Sequence, residues 1–591
     1  MITIVKILFP LFALYLVGVI AIFLIGTNSI KNKAFSTTRD FELDSQEVYN
    51  KTLSDYQEEE KFYVFRDPKV AYKILEQLKS PKDIPKNLPK GKDYPFYGIK
   101  SDDKYCDKNM KNFVEDPISL FEEMNLVMTS PPKSFIRKIV TPSIANDIHK
   151  EIGDHMGKTK REKSHINLKP EVNIFFTKNP MYGHKQIAQH FSCIGQESNH
   201  IPGHSTLDRK DSVAENAIKY AKNFENRTQC FNHDKFFPKT WLLFRKADCQ
   251  EFFKILISQK YQEMKEEKRI VFIRKVAAGS HRGEGVQPVN DEEEKALLTD
   301  YANGMKCGKV TQIYIVQNYI HNPLLIDGHK FDFRMYMLIA STNPLMAFYH
   351  DGFLRVTLAK YDVNSNEKKV LLTNLALNKQ IYDEVKGGNL YKGMDEEELK
   401  VAQQWSFDRL QDYLLEKGII TDPNWLDNYL RPEFKKAMIH LLRLSSYNFM
   451  KHSSLYELYG VDFMLDENLN LWFIEANSSP ALHGYSIPME KFIVKMLHDH
   501  FEVVMSLLRS RMKRVIDYVN VLTTKSLVVR NGRRRLVIKN IEAKREEFQR
   551  ITKNYFEKEF EPGPSNGFSK IVDANYEGVE MYQGFISAEC L

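Results

Sequence analysis

The stretch Tyr459-Gly460-Val461-Asp462-Phe463-Met464-Leu465-Asp466-Glu467-Asn468, closed by Trp472-Phe473-Ile474-Glu475-Ala476-Asn477-Ser478-Ser479-Pro480, decides the fold of this chain. It reads as a β-hairpin. Asp462 lies on the first strand among apolar residues, and residues 466–470 form a polar turn. Glu475 and Asn477 stand two apart on the return strand and share one face. Two carboxylates and an amide oxygen on adjacent strands suit a hard cation such as Mg²⁺, which prefers oxygen ligands and shares its sphere with water and nucleotide phosphates. The plainer alternative is a hairpin with solvated acids. Asp462 and Glu475 sit inside strongly apolar runs, where an unpaired charge is costly, and this favours the metal.

A second segment supplies the opposite charge. In Lys330-Phe331-Asp332-Phe333-Arg334-Met335 the period is two: Lys330, Asp332 and Arg334 face one way, Phe331, Phe333 and Met335 the other. Such a strand builds an ion-pair ladder or a polyphosphate site. Residues 345–349 read as a further strand, His350-Asp351-Gly352 as a turn, and residues 353–356 as its return, with Arg355 able to join the row. Cationic side chains aimed at a transferring phosphoryl group stabilise its charge in a dry site. Upstream, residues 269–275 form a strand ending in Lys275, followed by a small, glycine-containing loop, residues 277–286. Glycines let backbone amides approach phosphate oxygens. The loop is not a P-loop, because the GxxxxGK[ST] spacing is absent. Residues 313–320 form an apolar strand able to pass beside a purine and offer it backbone hydrogen bonds. The whole order describes a nucleotide site between two α/β lobes.

On these residues the chain resembles the tubulin–tyrosine-ligase-like family, whose fold is an ATP-grasp core. The resemblance covers residues 199–500. It runs from Asn199-His200-Ile201-Pro202-Gly203 and Leu207-Asp208-Arg209-Lys210-Asp211 through Phe236-Phe237-Pro238-Lys239-Thr240-Trp241 and Asn322-Pro323-Leu324-Leu325-Ile326 to the Asp462 hairpin. It implies an α/β (α+β) ligase and a set of roles. Lys275 and Lys330 would contact ATP phosphates, with Arg282 and Gly283 in the loop above them. Gln317, Asn318, Tyr319 and Ile320 would hold the adenine. Asp332, Thr373 and Asn374 would add nucleotide contacts. Arg334 and Arg355 would face the acyl phosphate and the incoming substrate, and Asp462, Glu475 and Asn477 would hold Mg²⁺. The implied chemistry activates a protein carboxylate as an acyl phosphate, which the amine of a free amino acid then displaces. Positioning and charge stabilisation carry such a reaction without a nucleophilic side chain. The implied protein substrate is the acidic tail of tubulin, and microtubules are the implied partner.

The residues 330–361 look more like the side-chain glutamylases than the glycylases, so glutamate is the expected amino acid. The pocket departs from the glutamylase pattern at three places. Leu375 and Ala376 stand where tyrosine and serine are usual, and Gln404 where a lysine is usual. A glycylase, a ligase for another acidic protein, and an inactive microtubule-binding relative stay open as alternatives.

At 591 residues, with 43% hydrophobic and 12% aromatic content, the chain has material for a substantial core and several domains. Its net charge of +7 is modest. A basic run from Arg509 through Lys513, Arg530, Arg533, Arg534 and Arg535 to Lys539 follows the motif-bearing residues and is expected to steer an acidic polypeptide rather than nucleic acid, and residues 516–591 are expected to form a basic helical tail ending in a flexible C-terminus. The six cysteines show no paired spacing, so reduced thiols are expected. Residues 111–515 are expected to form the ligase domain, and the proline-broken residues 31–110 a tether and peripheral segment. Helices are expected at 291–298, 395–415, 432–451 and 488–518.

Residues 1–30 contain an apolar run with Lys6 as its only charge, long enough to approach a bilayer span. The run exceeds a typical signal-peptide core of about 7–15 residues, which favours an uncleaved transmembrane anchor. Lys31, Lys33 and Arg39 outnumber the charges before it, so the ligase body is expected to face the cytosol, with the cilium or the microtubule cytoskeleton as its expected place. Deleting residues 1–30 should move the protein from the membrane pellet to the supernatant on fractionation. A full-length chain already in the supernatant would remove the anchor.

Overall fold

The computed structural model describes chiefly residues 172–177, 195–224, 236–268, 270–277, 285–303, 313–342, 344–373, 394–451, 454–484, 486–523 and 556–573, with short strands at Phe41–Leu43, Leu126–Met128, Leu527–Arg530 and Arg533–Leu536. The chain divides into two compact units: one of residues 1–80, 110–117 and 512–553, the other of residues 81–109, 118–511 and 554–591. In the first unit, Phe41–Leu43, Arg533–Leu536 and Leu527–Arg530 form a three-stranded sheet. Arg530, Arg533, Arg534 and Arg535 therefore lie on strands, not on the expected helical tail. Residues 531–532 are Asn-Gly, the pair that favours a tight hairpin turn over a helix.

The second unit carries two sheets. The smaller has strands β1 (Thr240–Leu242), β2 (Phe272–Val276), β3 (Val286–Pro288) and β4 (Tyr314–Asn318) in the order β1-β4-β2-β3, all antiparallel. Trp241, Phe272 and Val316 on its outer face pack on helices α2 (Lys246–Leu256) and α3 (Asp291–Ala302) through Phe252, Phe253 and Leu297. Helix α1 (Lys210–Phe224) precedes β1. The start of α3 follows from Asn290, whose side chain accepts the Glu293 N–H, and from the acids of its first turn. Cys249 of α2 and Cys307 form a disulfide, with Cα atoms 5.5 Å apart. This corrects the expectation of reduced thiols: the pair is 58 residues apart in sequence, a juxtaposition that only the packing of α2 creates. Closing a loop of that length stabilises by ~4 kcal/mol in the chain-entropy account.

The larger sheet is built on β5 (His329–Thr342), β6 (Leu345–Lys360), β7 (Gln404–Trp405), β8 (Leu455–Leu465), β9 (Leu471–Asn477) and β10 (Phe568–Asp573). β5 lies between β6 and β8, and β8 also pairs with β9. Phe331, Phe333 and Met335 turn to the core, where Phe333 meets Phe434 of α6 (Arg431–Ser445) at a ring separation of 5.1 Å.

The expected turn at His350-Asp351-Gly352 is instead a bulge within one long strand: Arg334 pairs with Phe353 and Tyr336 with His350. A Cβ on Gly352 would lie 1.5 Å from the Arg334 carbonyl oxygen, so the extra residue fits only as glycine. The expected helix at 395–415 is broken into α4 (Glu396–Ala402) and α5 (Phe407–Glu416) by β7, which pairs with β6. Ser406 restarts the helix by accepting the Arg409 N–H. The expected flexible C-terminus also differs at β10, which pairs with β6 from Met346 to His350 and is held by Asp499 and Glu502 through Gly563, Asn566 and Gly567. Among the described residues no helix is long and apolar enough to cross a membrane; the proposed anchor, residues 1–30, lies outside them.

His500 of α7 (Ile487–Thr523) is fully buried against the rings of Phe176, Tyr456 and Phe501, and neither ring nitrogen has a hydrogen-bond partner. Burial pushes its imidazole down to about 3. The unfolded chain then binds the extra proton first. The contribution of neutral His500 is complete above about pH 6.5 and falls by about 1.4 kcal/mol per pH unit as acid is added towards the folded value. Thermal unfolding of His500→Phe should therefore lose less stability than wild type between pH 7 and pH 4.5. Parallel losses would show that His500 is not a source of acid sensitivity.

Candidate nucleotide site

The register of the three central strands sets the charges of the site. Asp332 on β5 stands opposite Arg355 on β6, and Arg334 on β5 stands opposite Asp462 on β8. Arg355 donates to Asp332 through Nε at 2.6 Å and Nη2 at 2.7 Å, and its Nη2 also reaches Asp462 Oδ2 at 2.8 Å. Arg334 donates to both oxygens of Asp462, at 2.6 and 3.1 Å. Thr373 gives its hydroxyl to Asp332. The result is a chain of alternating charge, Asp332–Arg355–Asp462–Arg334, across three strands. All four side chains are largely out of water, at 4 to 12% exposure. Burial works against the Arg355 charge, yet Asp332 and Asp462 outweigh it and hold the guanidinium well above its ordinary value. Gly460 makes room for this chain: a Cβ there would lie 3.2 Å from Arg334 Cδ.

The hairpin forms as expected from its sequence. Asp466 Oδ1 accepts the N–H groups of Asn468 and Asn470, both at 2.9 Å, which closes the polar turn between β8 and β9. Asp462 pairs with Glu475, and Gly460 with Asn477. Asn477 Nδ2 donates to Glu475 Oε1 at 3.3 Å, and Lys210 Nζ meets Glu475 Oε2 at 3.0 Å. Burial alone would raise the Glu475 carboxyl, but Lys210 and Lys275 outweigh it and hold the group down at about 2. Asp462 accepts three guanidinium hydrogen bonds. A carboxylate has about four acceptor sites, so Asp462 and Glu475 both keep lone pairs for a cation. Hard oxygen donors of this kind fit Mg²⁺.

The two expected phosphate lysines are both buried. Lys275 Nζ donates to Gln317 Oε1 at 2.7 Å. Lys330 Nζ donates to the Tyr319 hydroxyl at 2.9 Å and to Leu371 O at 3.0 Å, beneath the rings of Tyr319 and Tyr361. Burial lowers Lys275 to about 8 and Lys330 to about 7. The side chains of Gln317 and Tyr319, expected at the adenine, are thus committed to the lysines. The N–H groups of Asn318 and Tyr319 are donated to Lys239 O and Val271 O. Asn318 is exposed, and together with Tyr319 and Ile320 it lines a cavity of about 780 Å³ with Lys239, Trp241 and Trp472. Arg282, Gly283 and Asn374 lie outside the described residues, as do Leu375 and Ala376.

Lys210 is a site residue to which the sequence reading gave no role. It begins α1, and its own N–H donates to Ala277 O at 3.2 Å, which ties that helix to the strand end beyond Lys275. The only advance signal was its place in Leu207-Asp208-Arg209-Lys210-Asp211. With it, Lys210, Lys275, Lys330, Arg334 and Arg355 stand against the carboxylates Asp332, Asp462 and Glu475. The excess is positive, which suits a polyanion.

An anion bound against Lys330 favours its charged form, so binding takes up protons at pH 8, above the value of about 7 that burial gives Lys330 in the free protein. Titration calorimetry of Mg-ATP in buffers of different ionisation enthalpy should show net uptake at pH 8, reduced in Lys330→Met. Equal uptake in both would remove Lys330 from the anion site.

The profile of the Tubulin-tyrosine ligase family matches residues 186–514, more than half of the chain. Among curated relatives, the human protein named inactive polyglycylase TTLL10 is 28% identical over 293 residues, which are 47% of this chain and 40% of that protein. The Macaca fascicularis protein polyglycylase TTLL10 is 31% identical over 263 residues, 42% of this chain and 38% of its own. The Mus musculus tubulin polyglutamylase TTLL5 is 30% identical over 319 residues, 52% of this chain and 21% of its own. The chain thus spans 40% or less of these relatives. On the matched segment, which holds every charged residue of the network just described, the chain belongs to the tubulin-tyrosine ligase family.

Proposed function

We propose that this chain is an ATP- and Mg²⁺-dependent ligase that adds an amino acid, glutamate in the first reading, to glutamate side chains in the acidic tails of tubulin. The observation that carries the reading is the alternating Asp332–Arg355–Asp462–Arg334 chain beside three lysines. Mg-ATP would supply the phosphoryl group that activates an acceptor carboxylate. Lys210, Lys275 and Lys330 would hold the phosphates, and Asp462, Glu475 and Asn477 the metal. Arg334 and Arg355 are each fixed by a bidentate carboxylate. A guanidinium held in this way cannot swing away, so its remaining N–H groups meet developing negative charge without reorganisation. Attachment to a membrane through residues 1–30, with the ligase facing the cytosol, belongs to the same proposal.

A second reading, glycine as the added amino acid, is favoured by Gln404. It stands opposite Arg355, and its Oε1 accepts the Ser486 hydroxyl at 2.5 Å. A neutral amide there provides no cation for a second carboxylate on the incoming amino acid. Two of the relatives above carry polyglycylase in their names.

The test incubates the chain lacking residues 1–30 with microtubules, Mg-ATP and each amino acid separately, then weighs the tubulin tails by mass spectrometry. Added glutamate supports the first reading and added glycine the second. No addition, with microtubule binding intact, refutes both. Asp462→Ala should abolish addition, since it strands Arg334 and takes away a metal ligand, while microtubule binding persists. Equal loss of addition and binding would count against the metal role.

A further inference from the structure

We propose that Thr240 is a positioning residue for Lys275, acting through the side-chain amide of Gln317. The proposal rests on the reading of Lys275 as a phosphate contact. Thr240 lies on β1 and has been given no role. Its Oγ1 donates its one hydrogen to Pro238 O at 2.8 Å. Only lone pairs remain on that oxygen, and it accepts from Gln317 Nε2 at 2.9 Å. The polarity of the amide is then settled. Its NH₂ end is turned to Thr240 and its oxygen to the other side, where Oε1 accepts from Lys275 Nζ at 2.7 Å.

The strand register makes this relay possible. Thr240 stands opposite Gln317 across β1 and β4. Lys275 stands opposite Ile315 across β2 and β4, two residues from Gln317, so the three side chains share one face. All three are buried. A Gln317 amide turned the other way would aim N–H groups at an ammonium in a site with little water, where an unmet or repelled polar group is costly. A backbone carbonyl, the one group in the relay that can only accept, therefore decides which end of Gln317 meets the lysine. The loop that carries it is pinned as well, since Lys239 O accepts the Asn318 N–H at 2.9 Å. Lys275 has one acid, Glu475, among the charges that act on it, while Lys210 and Lys330 repel it. The amide oxygen is thus the hydrogen-bond acceptor that holds Nζ in place between like charges.

Thr240→Val keeps the branched shape, and valine suits a strand. It removes the acceptor for Gln317 without opening a cavity. Mg-ATP affinity of the full chain, measured by titration calorimetry, should weaken roughly tenfold, the scale of one charge-assisted hydrogen bond. Thr240→Ser, which keeps the hydroxyl, should bind within about twofold of wild type on the same scale. In turnover, kcat/KM for ATP should fall while kcat at saturating ATP changes little. In a Gln317→Met background, Thr240→Val should have no further effect, because the relay is already cut. Wild-type affinity in Thr240→Val, equal weakening in Thr240→Ser, or additive loss with Gln317→Met would each overturn the relay. Failure of wild type to bind Mg-ATP refutes the nucleotide reading itself and is seen before any variant is made.

Discussion

The site depends on one electrostatic constraint: charges removed from water must be paired. Arg334, Arg355, Asp332 and Asp462 lie in the middle of a sheet whose other face is a phenylalanine-rich core. None of the four could remain there alone, because stranding one partner of a buried pair costs about 3–5 kcal/mol. The sheet solves this by register. β6, β5 and β8 bring base opposite acid and acid opposite base, so each guanidinium finds a carboxylate at the distance that strand pairing imposes. A slip of one residue would turn every one of these groups to the other face. The ion pairs and the strand alignment therefore specify each other.

Room for that lattice comes from backbone rather than side chains. Gly352 lets β6 carry one extra residue against Arg334, and Gly460 lets the Arg334 side chain cross β8. The bulge changes the pairing between Arg334 and Tyr336, which leaves Arg355 in line with Asp332 on one side of it. Strand β10 then covers part of the outer edge of β6 and β7 another part, so the strand bearing Arg355 has neighbours on both sides. β10 lies beyond the segment that matches the family, residues 186–514. The larger sheet is thus completed by a segment outside that match.

The lysines follow a different rule. Lys275 and Lys330 do not rest on carboxylates but on neutral oxygens, those of Gln317 and Tyr319. A neutral acceptor positions an ammonium without cancelling its charge. The guanidinium groups are neutralised where they stand, whereas the lysines keep an attraction to spare for an anion. Lys210 is intermediate, since it bridges Glu475 while repelling Lys275. The uneven pairing of the cations leaves the site short of negative charge.

Much of this was legible in the chain itself. The two-residue alternation of Lys330, Asp332 and Arg334 with Phe331, Phe333 and Met335 pointed to a strand with two unlike faces, and the apolar runs around Asp462 and Glu475 favoured partnered over solvated acids. These are local properties, because side chains alternate along any strand. The sequence could not announce the bulge at Gly352, since His-Asp-Gly has the composition of a turn and only the neighbouring strand shows that it continues. It could not place Lys210 on Glu475, Thr240 on Gln317 or Cys249 on Cys307, because these contacts join residues far apart in the chain. Nor could it show that residues 404–405 leave the helical path to join β6, or that a strand at 568–573 returns to the same sheet. Periodicity determines which face a residue takes within its own element, and tertiary packing alone decides what that face meets.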